Sequence, residues 1–164
     1  MKNFRIILYI IILLLILPGY LYAQNAAELD VMLEAESVSA AKAARFVLGS
    51  AGFLSSGLYG TAAETAAYQT AKDNGWITKD AADTFTLKDT AFLIMCAFEF
   101  DGGLMYTIFR NPRYAYREMV HSQLIQGRSD PDMTVSGRRL LQIIGRALTY
   151  AEENRQPANT GAAQ

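Results

Sequence analysis

The chain has 164 residues with 15 basic side chains, 16 acidic ones and one histidine, a near balance that removes any global attraction to nucleic acid or to an anionic membrane. Cys96 is the only cysteine, so no disulfide can form within the chain and the fold must rest on packing.

The first residues read as an export signal. Lys2 and Arg5 form a short positive region, Ile6 to Leu17 is an unbroken apolar run, and Pro18-Gly19 precedes Leu21-Tyr22-Ala23, a cleavage pattern ahead of Gln24. The run is shorter than the roughly 20 residues a helix needs to cross a bilayer, and no cysteine follows it for a lipid anchor. The expected organisation is therefore a signal peptide at 1–23, one domain at 24–155 and a disordered polar tail at 156–164. That places the protein in the periplasm or cell envelope, with no stable membrane span after cleavage.

Residues 26–35 carry Leu29, Met32 and Leu33 at helical spacing. Ser39 is positioned to cap a helix over 40–50 with Ala43, Phe46 and Val47 on one stripe, stopped by Gly49 and Gly52. After a loop at 57–60, residues 61–74 form an alanine-rich helix ended by Asn74-Gly75. Thr86 caps the next helix, with Asp89 at the third helical position as a shortened version of a capping box. This helix is apolar nearly all round from Ala91 to Phe98, which predicts the centre of the domain, with Cys96 as a small buried hydrophobe. Asp101-Gly102-Gly103 breaks it, and residues 104–109 are expected to form a helical turn covering its apolar face. Pro112 opens a helix over 113–123, and a turn at 129–132 leads to Ser136, which caps a last helix reaching about Glu153. On that helix Leu140, Leu141, Ile144, Ala147 and Leu148 are expected inward, with Gln142 and Arg146 towards solvent.

The caps recur. Val38-Ser39, Phe85-Thr86 and Val135-Ser136 stand 47 and 50 residues apart, while Ala67-Tyr68 and Ala115-Tyr116, each in the preceding helix, stand 48 apart. Two features with nearly one period predict a unit of helix, polar loop and capped helix, at about 62–99 and 113–151, with the Ser39 helix as the second half of a degenerate first unit. The expected fold class is all-α, tandem helix-loop-helix units packed into one small domain. So short an array is expected to be completed by self-association or a partner.

The alanine-led first helix, the apolar pairs Trp76-Ile77 and Leu124-Ile125 before the loop, Ile125-Gln126-Gly127 with Asp130 in the loop, and the capped helix ending Gly145-Arg146-Ala147-Leu148 resemble S-layer homology repeats over residues 36–150. The resemblance implies attachment to cell-wall polymer, peptidoglycan or another glycan, in grooves between units. The sequence departs from that family at the caps, where Gly137-Arg138-Arg139 follows Ser136 and Leu87-Lys88-Asp89 follows Thr86, and Asp130-Pro131 replaces an aspartate-glycine turn.

Charge is unevenly divided: residues 24–103 hold 5 basic and 11 acidic side chains, residues 104–155 hold 8 and 5, and all eight are arginine. Arg113, Arg117 and His121 share one helix stripe, and Arg110, Arg128, Arg138 and Arg139 can join it if the helices pack antiparallel, giving bidentate contacts to carboxylates or phosphates. The competing reading pairs them with Glu118, Asp130 and Asp132. Trp76 and Tyr116, with Tyr106 and Tyr114, could stack on sugar rings or belong to the core. Asp130 and Asp132 lack the glycine and terminal glutamate of a calcium loop, and His121 has no supporting nucleophile motif. The sequence thus predicts a non-enzymatic binding protein without metal or cofactor, its partner a wall polymer; the alternative is an adaptor for an envelope protein.

Overall fold

The computed structural model describes residues 27–155 apart from residue 56, so the expected signal segment and polar tail lie outside the described residues. The described residues are helical: α1 (27–34), α2 (Ala40–Ser50), α3 (Gly60–Asp73), α4 (Leu87–Ala97), α5 (Leu104–Phe109), α6 (Pro112–His121) and α7 (Gly137–Arg155). No strand forms among them, and two isolated bridges, Ser39 with Thr84 and Thr86 with Thr134, are the only extended pairings. None of these helices is long and apolar enough to cross a membrane.

The residues before α2, α4 and α7 meet at one point. The Val38 amide donates to the Val135 carbonyl at 3.0 Å, the Val135 amide to Phe85 at 3.1 Å, and the Phe85 amide to Val38 at 2.8 Å, closing a ring. A second layer follows one helical position on: Ala40 donates to Asp83, Leu87 to Met133 and Gly137 to Ala35, each at 2.9 Å. The first amides of a helix have no partner inside it. Here those of all three helices find carbonyls of the neighbouring connection, and Ala41 to Ala81 and Lys88 to Pro131 extend the pattern by one amide. Val38, Phe85 and Val135 are buried within the ring.

From this point α2, α4 and α7 run as a three-helix core, each touching the other two, while α3 packs on α2 and α6 on α4. The central helix is α4, as its composition predicts: Leu87, Thr90, Ala91, Leu93, Ile94, Met95, Cys96 and Ala97 are all buried. Its start has both halves of a capping box, with the Asp89 carboxylate accepting from the Thr86 amide at 3.2 Å and hydroxyl at 2.6 Å. On α3 the alanines Ala63, Ala67 and Ala71 form the buried stripe, and their small size lets the helix lie close on α2.

Three expectations about burial are corrected, the first of them in part. Residues 104–109 are helical and place Tyr106 over Cys96 as expected, but the rest of α5 does not cover α4, on which α6 packs; Leu104, Met105, Ile108 and Phe109 are each more than half exposed. On α7 the inward set includes Ile143 and excludes Leu148, which is exposed. Arg146, expected in solvent, is half-buried and donates to the Leu124 carbonyl at 3.2 Å.

Four helices end in the same closing turn. Phe53 donates to Leu48, Trp76 to Ala71, Phe100 to Met95 and Leu124 to Met119, and the residue before each donor has positive φ: Gly52, Gly75, Glu99 and Gln123. Glycine adopts this conformation freely, whereas a side chain there is strained. Glu99→Gly, at φ 55°, is therefore expected to raise unfolding free energy by about 0.5–1 kcal/mol in a denaturant titration.

The third junction of the ring leaves no room for a side chain at Gly137. A Cβ on Gly137 would run into the Met32 backbone carbonyl, a group that cannot swing aside as a flexible side chain can. Gly137→Ala is expected to cost about 2 kcal/mol of stability by the same measurement, because α1 must move and the Ala35 bond with it.

Candidate functional site

Among the described residues a groove of about 480 Å³ lies at the ends of α4 and α7, lined by Phe98, Phe100, Tyr150 and Arg155, and two others lie beside the first turns of α2 and α4. The larger, about 510 Å³, is lined by Ala27, Glu28, Val31 and Met32 from α1, Lys42, Arg45 and Phe46 from α2, and Tyr59, Gly60 and Glu64 at the start of α3. The smaller, about 210 Å³, is lined by residues 75–79, by Phe85, Asp89 and Phe92, and by Arg110 and Pro112. Counted from their caps, Lys42 corresponds to Asp89 and Arg45 to Phe92, so the two grooves are alike in position and different in chemistry.

In the larger groove Glu28 connects two elements. One carboxylate oxygen accepts from the Gly60 amide at 2.6 Å, where the α3 dipole favours negative charge, and the other lies 3.5 Å from the Arg45 guanidinium. Arg45 is largely buried, sits 5.9 Å from the Phe46 ring centroid, and has a buried Nε with no hydrogen-bond partner. Apolar walls with two cations and two carboxylates suit an amphipathic ligand with a polar edge. In the smaller groove Lys79 reaches Asp89 at 2.8 Å and the Thr84 carbonyl at 2.8 Å, while Trp76 is half-buried with its ring edge-to-face on Phe53 at 5.4 Å.

The residues singled out from sequence separate into four fates. Trp76 and Arg110 meet in the smaller groove. Arg113, Arg117 and His121 stand exposed in one row on α6, outside both grooves, and Arg128 and Arg138 are also exposed. None of the four ion pairs among the described residues involves these arginines; Asp132 pairs with Lys88, which holds its carboxyl below the usual range and raises Lys88. Arg139 is different. Its guanidinium donates to the carbonyls of Arg128 at 2.8 Å and Gln126 at 3.4 Å and lies against Met133 sulfur, so it fastens the loop before α7 instead of offering a free fork. Tyr116 is half-buried against the core, Tyr106 is buried, and Tyr114 stacks on Phe109 at 5.5 Å.

Sequence reasoning missed Glu28, Lys42, Arg45, Phe46, Tyr59 and Glu64. The signal was in the spacing, since Lys42 and Arg45 follow Ser39 at the offsets where Asp89 and Phe92 follow Thr86. Among the described residues no group of three His, Cys, Asp or Glu side chains could hold a metal ion.

Cys96 lies 3.8 Å from the Tyr106 hydroxyl, and burial is the first cause that raises both groups, the tyrosine to about 12. The Arg110 charge opposes this and does not overcome it. A thiol held in that state is a poor nucleophile. Labelling at about pH 8 with a thiol reagent is therefore expected to proceed only when denaturant is added.

No protein-family model matches the chain, and no curated protein or solved structure gives a significant match.

Proposed function

We propose that this is an exported, non-enzymatic protein of the cell envelope that binds an anionic wall polymer, peptidoglycan or another acidic glycan, on the side formed by α6 and the smaller groove. One observation carries the reading: Arg113 and Arg117 form an exposed row with no carboxylate in ion-pair distance among the described residues, close in sequence to Arg110, which shares a groove with Trp76. Unpaired arginines supply planar donor forks for carboxylates or phosphates, and the indole in the groove of Arg110 supplies a face for a sugar ring.

The ring of cap segments supports a repeat reading in which three capped helices are the same unit used three times, and a groove beside successive units is where a polymer in the S-layer homology manner would lie. Periplasmic or envelope localisation is part of this proposal and rests on the N-terminal apolar run.

The second reading, an adaptor for an envelope protein, is favoured by a separate observation. The exposed Leu104, Met105, Ile108 and Phe109 make an apolar ridge on α5, the kind of surface that marks a protein contact.

Sedimentation with purified wall material at low salt tests the first reading. The protein is expected to co-sediment, and Arg113→Ala with Arg117→Ala to lower the affinity by about tenfold or more, since each charge-assisted contact is worth on the order of 1.5–3 kcal/mol. Absence of binding, or binding unchanged in the double variant, overturns it.

A further inference from the structure

We propose that the outer face of α7 is a self-association surface on which two copies of this chain pair antiparallel, helix to helix. This goes beyond the wall-binding reading, which it neither needs nor supports.

Counted from their caps, the same positions recur on the three core helices. Leu48 on α2 and Met95 on α4 are buried; Gly145, the matching residue of α7, is exposed with nothing within 4 Å of where its Cβ would stand. Ala44 and Ala91 are fully buried, and their counterpart Leu141 is only half-buried. Phe98 is buried, and its counterpart Leu148 is exposed. The reason is that α3 covers α2 and α6 covers α4, whereas α1 meets α7 at its first residue, Gly137, and Gly145 and Leu148 further along are left exposed. A face that receives a helix twice in the molecule is left open the third time.

The pattern of the open face says what covers it. Arg138, Leu141, Gly145, Leu148 and Glu152 follow one another at alternating steps of three and four residues, the seam of a helix pair. The stripe is self-complementary about Gly145. In an antiparallel pair crossing there, Arg138 of each copy faces Glu152 of the other, since both lie seven residues from the centre in opposite directions. Both are exposed, and neither belongs to an ion pair among the described residues. A glycine at the crossing lets the backbones approach, and Leu141 and Leu148 flank it on either side. A parallel pair would set Arg138 against Arg138 and Glu152 against Glu152, so the charges select the antiparallel arrangement.

Sedimentation velocity on the exported chain, over a series up to about 100 µM, reads the outcome as the monomer–dimer constant. The wild-type protein is expected to shift from monomer to dimer. Gly145→Glu places two carboxylates at the crossing without a clash inside the monomer and is expected to leave monomer throughout, with its helical circular dichroism intact. Arg138→Glu and Glu152→Arg are each expected to weaken dimerisation by about tenfold, and the double reversal to restore it. A wild-type chain that stays monomeric, a Gly145→Glu variant that still dimerises, or a double reversal that does not recover overturns the proposal. Because Gly145→Glu leaves Arg113, Arg117 and Trp76 unchanged, wall sedimentation of the same variant separates this result from the wall-binding reading.

Discussion

The hydrogen-bonded ring at Val38, Phe85 and Val135 is the constraint on which the rest of the molecule depends. Three helix N-termini converge there, each with unpaired amides and the positive end of a dipole. Such a meeting is unfavourable unless acceptors are supplied. Only α4 has an acidic residue in its first turn, Asp89; α2 and α7 have none. Backbone carbonyls of the connections therefore do what acidic side chains would otherwise do, and they do it in rotation: the connection before α4 serves α2, the one before α7 serves α4, and the one before α2 serves α7.

This arrangement explains why the domain holds without a disulfide. Bonds between residues far apart in sequence fix the starts of α2, α4 and α7, and the apolar residues between them are shielded from water, so ring and core support each other. It also explains why the connections are short of regular structure. Residues 81–83 and 131–133 must present carbonyls to a neighbouring helix, which a helix of their own would have consumed.

Much of this was legible in the sequence. Serine and threonine caps, the Thr86–Asp89 box, the Asn74-Gly75 stop and the apolar circumference of α4 are local signals, and the structure follows them because no tertiary contact competes. What was not legible depends on which neighbour arrives. Residues 104–109 have the composition of a core segment, yet only Tyr106 reaches the apolar face of α4, at Cys96, while α6 packs on the same helix, so four large apolar side chains remain outside. Leu148 and Ile143 exchange roles for the same reason: periodicity gives the width of the apolar stripe on α7, but its centre is set by α2 and α4.

The arginines show where composition stops being informative. A bias of eight arginines and no lysine in residues 104–155 suggests one shared purpose, and the structure separates at least two. Arg139 and Arg146 are half-buried and give their donors to carbonyls of the preceding loop, at Gln126, Arg128 and Leu124. Of these only Leu124 is buried; the carbonyls of Gln126 and Arg128 are in an exposed loop, and a long side chain with several donors fastens them while keeping its charge near the surface. Arg113 and Arg117 belong to a helix whose backbone is already satisfied and whose buried residues are Ala115 and Met119, so their forks have nothing internal to hold. Position relative to the cap distinguishes the groups: arginines after Ser136 that point back to the loop are part of the fold, and those on α6 ahead of the loop are left for something outside it.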